Sequence, residues 1–210
     1  MSRATPALVI FDMNDVVCRY DLNERIKVLS RHSGRTARDI KSAIWESGFE
    51  DESDSGRFAD PQAYLEEFCR RLGRKITSAQ WIEACRAAII PDQQVLDLAK
   101  DMQGQARAVL FSNNGPLMKT SLAEVFPEAY EIFVDEFYCS YEFSAAKPDP
   151  VAYSRLIERL GFMPEQCYYI DDKLSNVEGA LKAGVRGLHF ASYEALACEA
   201  RALGLAYQSS

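Results

Sequence analysis

Three short apolar runs, each closed by residues capable of chemistry, constrain the fold of this 210-residue chain most tightly. Ala7-Leu8-Val9-Ile10-Phe11 leads into Asp12, Ala108-Val109-Leu110-Phe111 into Ser112-Asn113-Asn114, and Tyr168-Tyr169-Ile170 into Asp171-Asp172. Apolar runs of this length suit strands buried on both faces of a parallel sheet. Ligands of open α/β sheets bind beyond the carboxyl ends of the strands. The pattern therefore predicts a carboxylate, a hydroxyl and a carboxylate pair on one rim.

Between the first two runs the character changes. Residues 21 to 89 hold no convincing strand and four helical stripes. The first carries Ile26 and Leu29 and stops near Gly34. The second follows Thr36 with Ile40, Ala43 and Ile44. The third opens at Asp60-Pro61 and carries Tyr64, Leu65, Phe68 and Leu72. The fourth follows Ser78 with Trp81, Ile82, Cys85 and Ile89. The acidic stretch from Gly48 to Asp60 (Glu50, Asp51, Glu52, Asp54, Asp60) reads as an exposed loop. Beyond Pro91, helices alternate with strands, a third strand falling at Phe133-Val134 and Phe137-Tyr138 and the last at Val185 to Phe190. Such alternation means crossover helices on a parallel sheet. The expected fold is α/β: a Rossmann-like parallel core from residues 1–20 and 90–210, with a four-helix segment, residues 21–89, inserted after the first strand.

Composition narrows the function. A net charge of −7 argues against nucleic acid or an anionic membrane as the main partner. No apolar stretch is long enough to span a bilayer, and Met1 to Pro6 is too short and polar for a signal peptide. The six cysteines lack paired metal-type spacing, as expected of reduced thiols in a cytoplasmic protein. Two histidines, His32 and His189, leave little material for histidine triads or zinc clusters, and His189 reads as a satisfied core or rim residue.

Four positions carry candidate chemistry. Asp12 ends the first strand. Ser112-Asn113, followed by Gly115-Pro116 and a helix, offers a hydroxyl and free backbone N–H groups of the kind that cradle a phosphate. Pro148 restricts Lys147 to extended geometry, and Pro150 opens the next helix. Asp171 and Asp172 repel each other unless a cation sits nearby, and hard oxygen ligands suit Mg²⁺ better than zinc.

In this order, the four resemble the haloacid dehalogenase superfamily, mostly Mg²⁺-dependent phosphatases. The resemblance rests on Phe11-Asp12-Met13-Asn14, Phe111-Ser112-Asn113, Lys147-Pro148-Asp149-Pro150-Val151-Ala152-Tyr153 and the run from Ile170 to Ala180. The chain looks most like the subgroup of small sugar-phosphate phosphatases and the phosphatase domain of soluble epoxide hydrolase, which carry a four-helix cap where residues 21–89 lie. The resemblance implies Asp12 as the nucleophile, forming an aspartyl-phosphate, and Lys147 as the cation that neutralises it. It implies Ser112, the Asn113 backbone and Lys147 as phosphate binders. Asp12, Asp172 and the backbone carbonyl of Asn14 would hold Mg²⁺, with Asp171 orienting Lys147 or a metal-bound water and Asn176 behind it. A small phosphorylated metabolite is the implied partner. Its selection would fall to cap and loop residues such as Tyr20, Trp45, Glu50, Arg57 and Phe58.

One position departs from the pattern. The superfamily's phosphatases usually carry Asp two residues after the nucleophile as general acid and base, and here Asn14 stands there. An amide cannot transfer a proton at neutral pH, and losing a general acid–base costs roughly 10²–10⁴-fold in rate. Asp15 is a poor substitute, since neighbouring side chains of extended chain point to opposite sides. Asn14 fits an engineered trap of an Asp enzyme, a natural variant with altered chemistry, or a non-catalytic phosphate binder. The enzyme runner-up is a 2-haloacid dehalogenase, whose halide leaving group needs no proton. The acidic pair favours the phosphatase.

Overall fold

The computed structural model describes residues 4–205, and the statements below concern those residues. After β1 (Leu8–Phe11), a short strand β2 (Cys18–Tyr20) leads into helices α1 (Leu22–Ser33), α2 (Ala37–Ile44), α3 (Phe49–Asp54), α4 (Pro61–Leu72) and α5 (Ser78–Ala87). The chain returns through β3 (Ile89–Pro91) to α6 (Gln93–Met102), β4 (Arg107–Ser112), α7 (Pro116–Val125), α8 (Pro127–Phe133) and β5 (Phe137–Cys139). It continues with α9 (Pro150–Leu160), β6 (Cys167–Asp171), α10 (Leu174–Lys182), β7 (Arg186–His189) and α11 (Tyr193–Ala202).

The large sheet is parallel, in the order β5-β4-β1-β6-β7. Its central strands are apolar because both faces are covered. Val9 and Phe11 of β1 pack with α6, α7, α8 and α11, whereas Leu8 and Ile10 pack with Ala152, Tyr153 and Leu156 of α9 and Ala180 of α10. From β1 the chain winds through β4 to β5 on one side, then crosses to β6 and β7 on the other. The resulting crevice opens at the carboxyl ends of the central strands. Phe11 pairs with both Leu110 and Ile170. That register sets Asp12 level with the ends of β4 and β6.

Helices α1–α5 stand off this sheet. α1 packs on α5, and α4 and α5 rest on α7. The chain enters and leaves this segment side by side, because β2 and β3 form an antiparallel ribbon pairing Cys18 with Pro91 and Tyr20 with Ile89.

The structure corrects the sequence reading in four places. The segment has five helices rather than four: the stretch expected as an exposed loop contains α3, whose Phe49 is fully buried and stacks on Tyr64 with ring centroids 5.2 Å apart. Six mostly acidic residues are too short a window for a 3.6-residue period to show. The cap of α5 is Thr77, not Ser78; its hydroxyl accepts from Gln80 N, and the Gln80 side chain accepts from Thr77 N. Phe133 closes α8 instead of opening a strand, and β5 begins only at Phe137. The ribbon at the two ends of the inserted segment has no sequence signal, because three-residue strands carry too little alternation to read.

Gly179 gives a test of how tightly the site loop is seated. A Cβ there would collide with the carbonyl oxygen of Pro148, next to Lys147. In a free helix interior, Gly→Ala gains up to about 1 kcal/mol. Here Gly179→Ala is expected to lose roughly 1–3 kcal/mol, the usual cost of overpacking. A denaturant midpoint that rises instead would show that the Pro148 loop yields freely.

Candidate active site

Strand ends place Asp12, Ser112 and Asp171 at the rim. Asp12 follows β1 and takes its position from its backbone N–H, which donates to Ile170 O at 2.9 Å. Lys147 lies in the loop after β5 and reaches back under the rim. Its Nζ donates to Asp12 Oδ1 at 2.5 Å, Phe111 O at 2.9 Å and Asp171 Oδ2 at 3.2 Å. All three ammonium protons are thereby used. The rings of Phe111 and Tyr169 flank it, with centroids 5.4 and 5.5 Å from Nζ. Its main chain is clamped by Asn113, whose Nδ2 donates to Lys147 O and whose Oδ1 accepts from Lys147 N, both at 2.9 Å. The sequence pattern points to the Asn113 backbone alone; the side-chain clamp depends on two loops 34 residues apart and leaves no local signal.

Asp171 is saturated. Its Oδ2 accepts from Lys147, from Asn176 Nδ2 at 2.9 Å and from the Tyr169 hydroxyl, while Oδ1 accepts from Lys173 N at 2.8 Å. Asn176 is in turn seated by Tyr153, whose hydroxyl donates to Asn176 O at 2.7 Å. Asp172 differs: its Oδ1 is buried and has no hydrogen-bond partner. His189, exposed at the end of β7, makes a 2.8 Å hydrogen bond from Nε2 to Asp172 O.

Burial and charge set the electrostatics. Burial pushes the Asp12 carboxyl up to about 6; Lys147 pulls it down, and Asp171 adds to the rise. Burial opposes the Lys147 charge, but Asp12 and Asp171 outweigh it and hold the ammonium above the ordinary lysine value. For Asp171, burial is outweighed by Lys147 and by bonds from Tyr169, Lys173 and Asn176, so its pKa is lowered. Asp172 is raised, by burial and then by Asp171. An isolated carboxylate pair at this density is electrostatically expensive.

A polar cavity of about 200 Å³ opens above the rim, lined by Asp12, Asn14, Ser112, Asn113, Lys147, Lys173 and Asn176, and by Asp51 and Asp54 from α3. Seven of these nine residues come from the sheet rim and two from the inserted helices. Asp12, Asp171 and Asp172 each present a carboxylate oxygen within 4.8 Å of the others. The structure thus brings together the residues proposed for nucleophile, phosphate and metal, Asp171 and Asp172 joining the cavity residues through Asp12. Asp15 turns away, with φ of 60°, and its Oδ1 accepts from Tyr20 N at 3.0 Å.

The substrate-facing candidates from the inserted segment are corrected. Tyr20, Trp45 and Glu50 surround the buried Arg25, which donates to the Tyr20 hydroxyl at 3.2 Å and to Glu50 Oε1 at 3.3 Å, with the Trp45 and Trp81 rings 5.2 Å away. Arg57 lies over the Phe58 ring and pairs with Glu52. None of the five lines the cavity. Asp51 and Asp54 do, because α3 docks onto the core. Ser140 Oγ donates to Asp54 O at 2.7 Å, and a Cβ at Gly115 would collide with Ser53 Oγ.

A parallel α/β sheet with a buried lysine between two carboxylates at its carboxyl edge is the frame of a hydrolase family. The family model for haloacid dehalogenase-like hydrolases matches residues 6–184, and the chain belongs to this family. It is 27% identical over 199 residues to a sesquiterpene phosphatase of Aspergillus oryzae, a match covering 92% of this chain and 94% of that protein. A haloacid dehalogenase-family enzyme from Bacteroides thetaiotaomicron, solved with magnesium and inorganic phosphate, superposes with a TM-score of 0.74 at 19% identity, covering 90% of this chain and 98% of that one. An L-2-haloacid dehalogenase from Xanthobacter autotrophicus shares the fold at a TM-score of 0.61 and 20% identity, covering 96% of this chain and 85% of that one. Among the described residues, no helix is long and apolar enough to cross a membrane.

Proposed function

We propose that this hydrolase is a Mg²⁺-dependent phosphomonoesterase acting on small, polar organic phosphates. The observation that carries this reading is the unpartnered Asp172 Oδ1 beside Asp12. A buried carboxylate oxygen without a donor is costly unless a cation completes it. Dehalogenation needs no such oxygen, so the acidic pair weighs against that reading here too.

The donor set fits Mg²⁺. Asp12, Asp172 and the main-chain oxygen of Asn14 would hold it, and Asp171 is left out because its oxygens are already engaged. Bound there, the ion would offset the charge of the phosphate dianion as it approaches Asp12. Lys147 contributes the same from the protein side, and it fixes the attacking oxygen through its bond to Asp12 Oδ1. Ser112 and the Asn113 backbone N–H, before the start of α7, hold the phosphoryl oxygens. Asp12 then attacks phosphorus in line and forms the aspartyl-phosphate, with positioning and charge stabilisation supplying most of the catalysis. Residues 21–89 act as a cap hinged at the β2–β3 ribbon, with α3 closing the cavity against water. The lining is polar throughout, which suits a polar leaving group better than the terpenoid one in the relative's name.

The reading is tested by hydrolysis of a phosphorylated-metabolite panel and 4-nitrophenyl phosphate, with and without Mg²⁺. Mg²⁺-dependent phosphate release is expected. Halide release from a 2-haloacid without phosphatase activity would make it a dehalogenase, and neither activity would make it a phosphate binder.

The metal assignment has its own check. Asp172→Asn is expected to weaken Mg²⁺ binding by more than Asp171→Asn, whose loss should stay near the roughly 10–100-fold of an outer-shell change. Titration calorimetry with Mg²⁺ alone reads both; an equal or greater loss for Asp171→Asn would reverse the roles.

A further inference from the structure

We propose that Asp54, carried by α3, is the proton donor and acceptor for this site in place of the amide at position 14. The proposal rests on the phosphomonoesterase reading and adds a catalytic residue from the inserted helices. Three observations lead to it. First, Asn14 and Asp54 line the same cavity, so the group that cannot transfer a proton and one that can share a single reaction space. Second, Asp54 joins the cavity from α3, whereas Asp12 joins it from the sheet rim. An in-line displacement at phosphorus puts the leaving oxygen opposite the attacking one. Asp12 attacks from the sheet rim, so the leaving oxygen points toward α3. Third, Asp54 is held there. Its carbonyl accepts from Ser140 Oγ at 2.7 Å, and Ser53 beside it is pressed against Gly115. Such tethering gives an acid the fixed position that proton transfer needs.

The environment of Asp54 agrees. Burial holds its carboxyl well above the ordinary carboxylate range, Glu50 and Asp51 push the same way, and Arg25 and Lys147 oppose. That direction is the one a proton donor needs, since it makes the carboxyl hold its proton more tightly than an ordinary carboxylate does. Asp51, its exposed neighbour in the lining, has no comparable burial.

The chemistry balances over two steps. An Asp12 oxygen forms a bond to phosphorus as the ester P–O bond breaks. The electron pair of that bond goes to the leaving oxygen, which takes the Asp54 proton and departs as an alcohol. Water then enters from the same side and gives a proton to the Asp54 carboxylate as its oxygen bonds to phosphorus. The Asp12–phosphorus bond breaks, its pair returns to Asp12, and phosphate leaves. Asp54 ends protonated, ready for another cycle.

The test is pre-steady-state and steady-state kinetics over a range of substrate concentrations for the parent, Asp54→Asn and the double variant Asp54→Asn/Asn14→Asp, using an alkyl phosphate and 4-nitrophenyl phosphate. For Asp54→Asn, the alkyl phosphate should slow by roughly 10²–10⁴-fold. The first release of nitrophenolate, whose leaving group needs no proton, should stay within about tenfold of the parent by the same reasoning. The double variant should recover alkyl phosphate turnover, because the acid is returned at the neighbouring position. Retained nitrophenolate release also shows that Asp54→Asn is folded. An unchanged alkyl rate, or a loss confined to KM, would overturn the proposal while leaving the phosphatase reading standing. So would equal loss for both substrates without recovery in the double variant. A parent that turns over neither substrate would overturn the phosphatase reading and this proposal together.

Discussion

Asp12→Ala is expected to bring phosphate-ester turnover below about 1% of the parent rate while leaving the fold intact, since removing a covalent nucleophile takes away a whole reaction path. The structure explains why stability should survive. Asp12 shares Lys147 with Asp171, and once Asp12 is gone the ammonium still faces Asp171 Oδ2 at 3.2 Å and Phe111 O at 2.9 Å. One buried cation then faces one buried anion. Turnover above that level, in protein with an unchanged far-ultraviolet spectrum and melting midpoint, would remove Asp12 from the nucleophile's role.

Lys147→Ala should behave differently, losing both turnover and stability. It leaves Asp12 and Asp171 buried, close together and without their shared cation. Breaking a buried ion pair by removing one partner costs about 3–5 kcal/mol, and here two anions lose the same partner. Because the charged carboxylates carry that penalty, lowering the pH to protonate them should recover part of the loss. On the proposed metal assignment, added Mg²⁺ should also recover part of it by binding at Asp12. An unfolding free energy from urea titration within about 1 kcal/mol of the parent would mean that water reaches the cluster and screens it as at a surface.

These two expectations differ only because of contacts between residues far apart in the chain. The sequence carried the elements themselves. Leu8 to Phe11, Ala108 to Phe111 and Tyr168 to Ile170 are apolar at every position, a pattern that a strand buried on both faces requires. Capping signals at Thr36 and Asp60, and the glycines ending α1, α4 and α9, were equally readable, because they act within one turn of the backbone. Asp12, Ser112 and Asp171 could be proposed together because the rule for parallel sheets sends the end of each strand to the same edge, whereas Lys147, in the loop before α9, was legible only through its proline-flanked motif. Asn14 was visible as a departure for the same local reason.

Elsewhere the sequence had no means to decide. The acidic run after Gly48 looks like solvated loop by composition, yet Phe49, stacked on Tyr64 and close to Phe58 and Phe68, draws it into a helix. That burial turns Asp51 and Asp54 toward the rim, while Tyr20, Trp45 and Glu50, more attractive as substrate contacts by residue type, close around Arg25 instead. The Asn113 clamp on Lys147 and the crowding of Asp171 by Lys147, Tyr169, Lys173 and Asn176 likewise join separate segments. Periodicity and capping are short-range properties of the backbone, so the chain alone determines its strands, its helices and the edge where chemistry can gather. Which oxygen of the acidic pair stays unpartnered, and which carboxylates join Asp12 in lining the cavity, depends on packing between elements. Tertiary structure alone decides that.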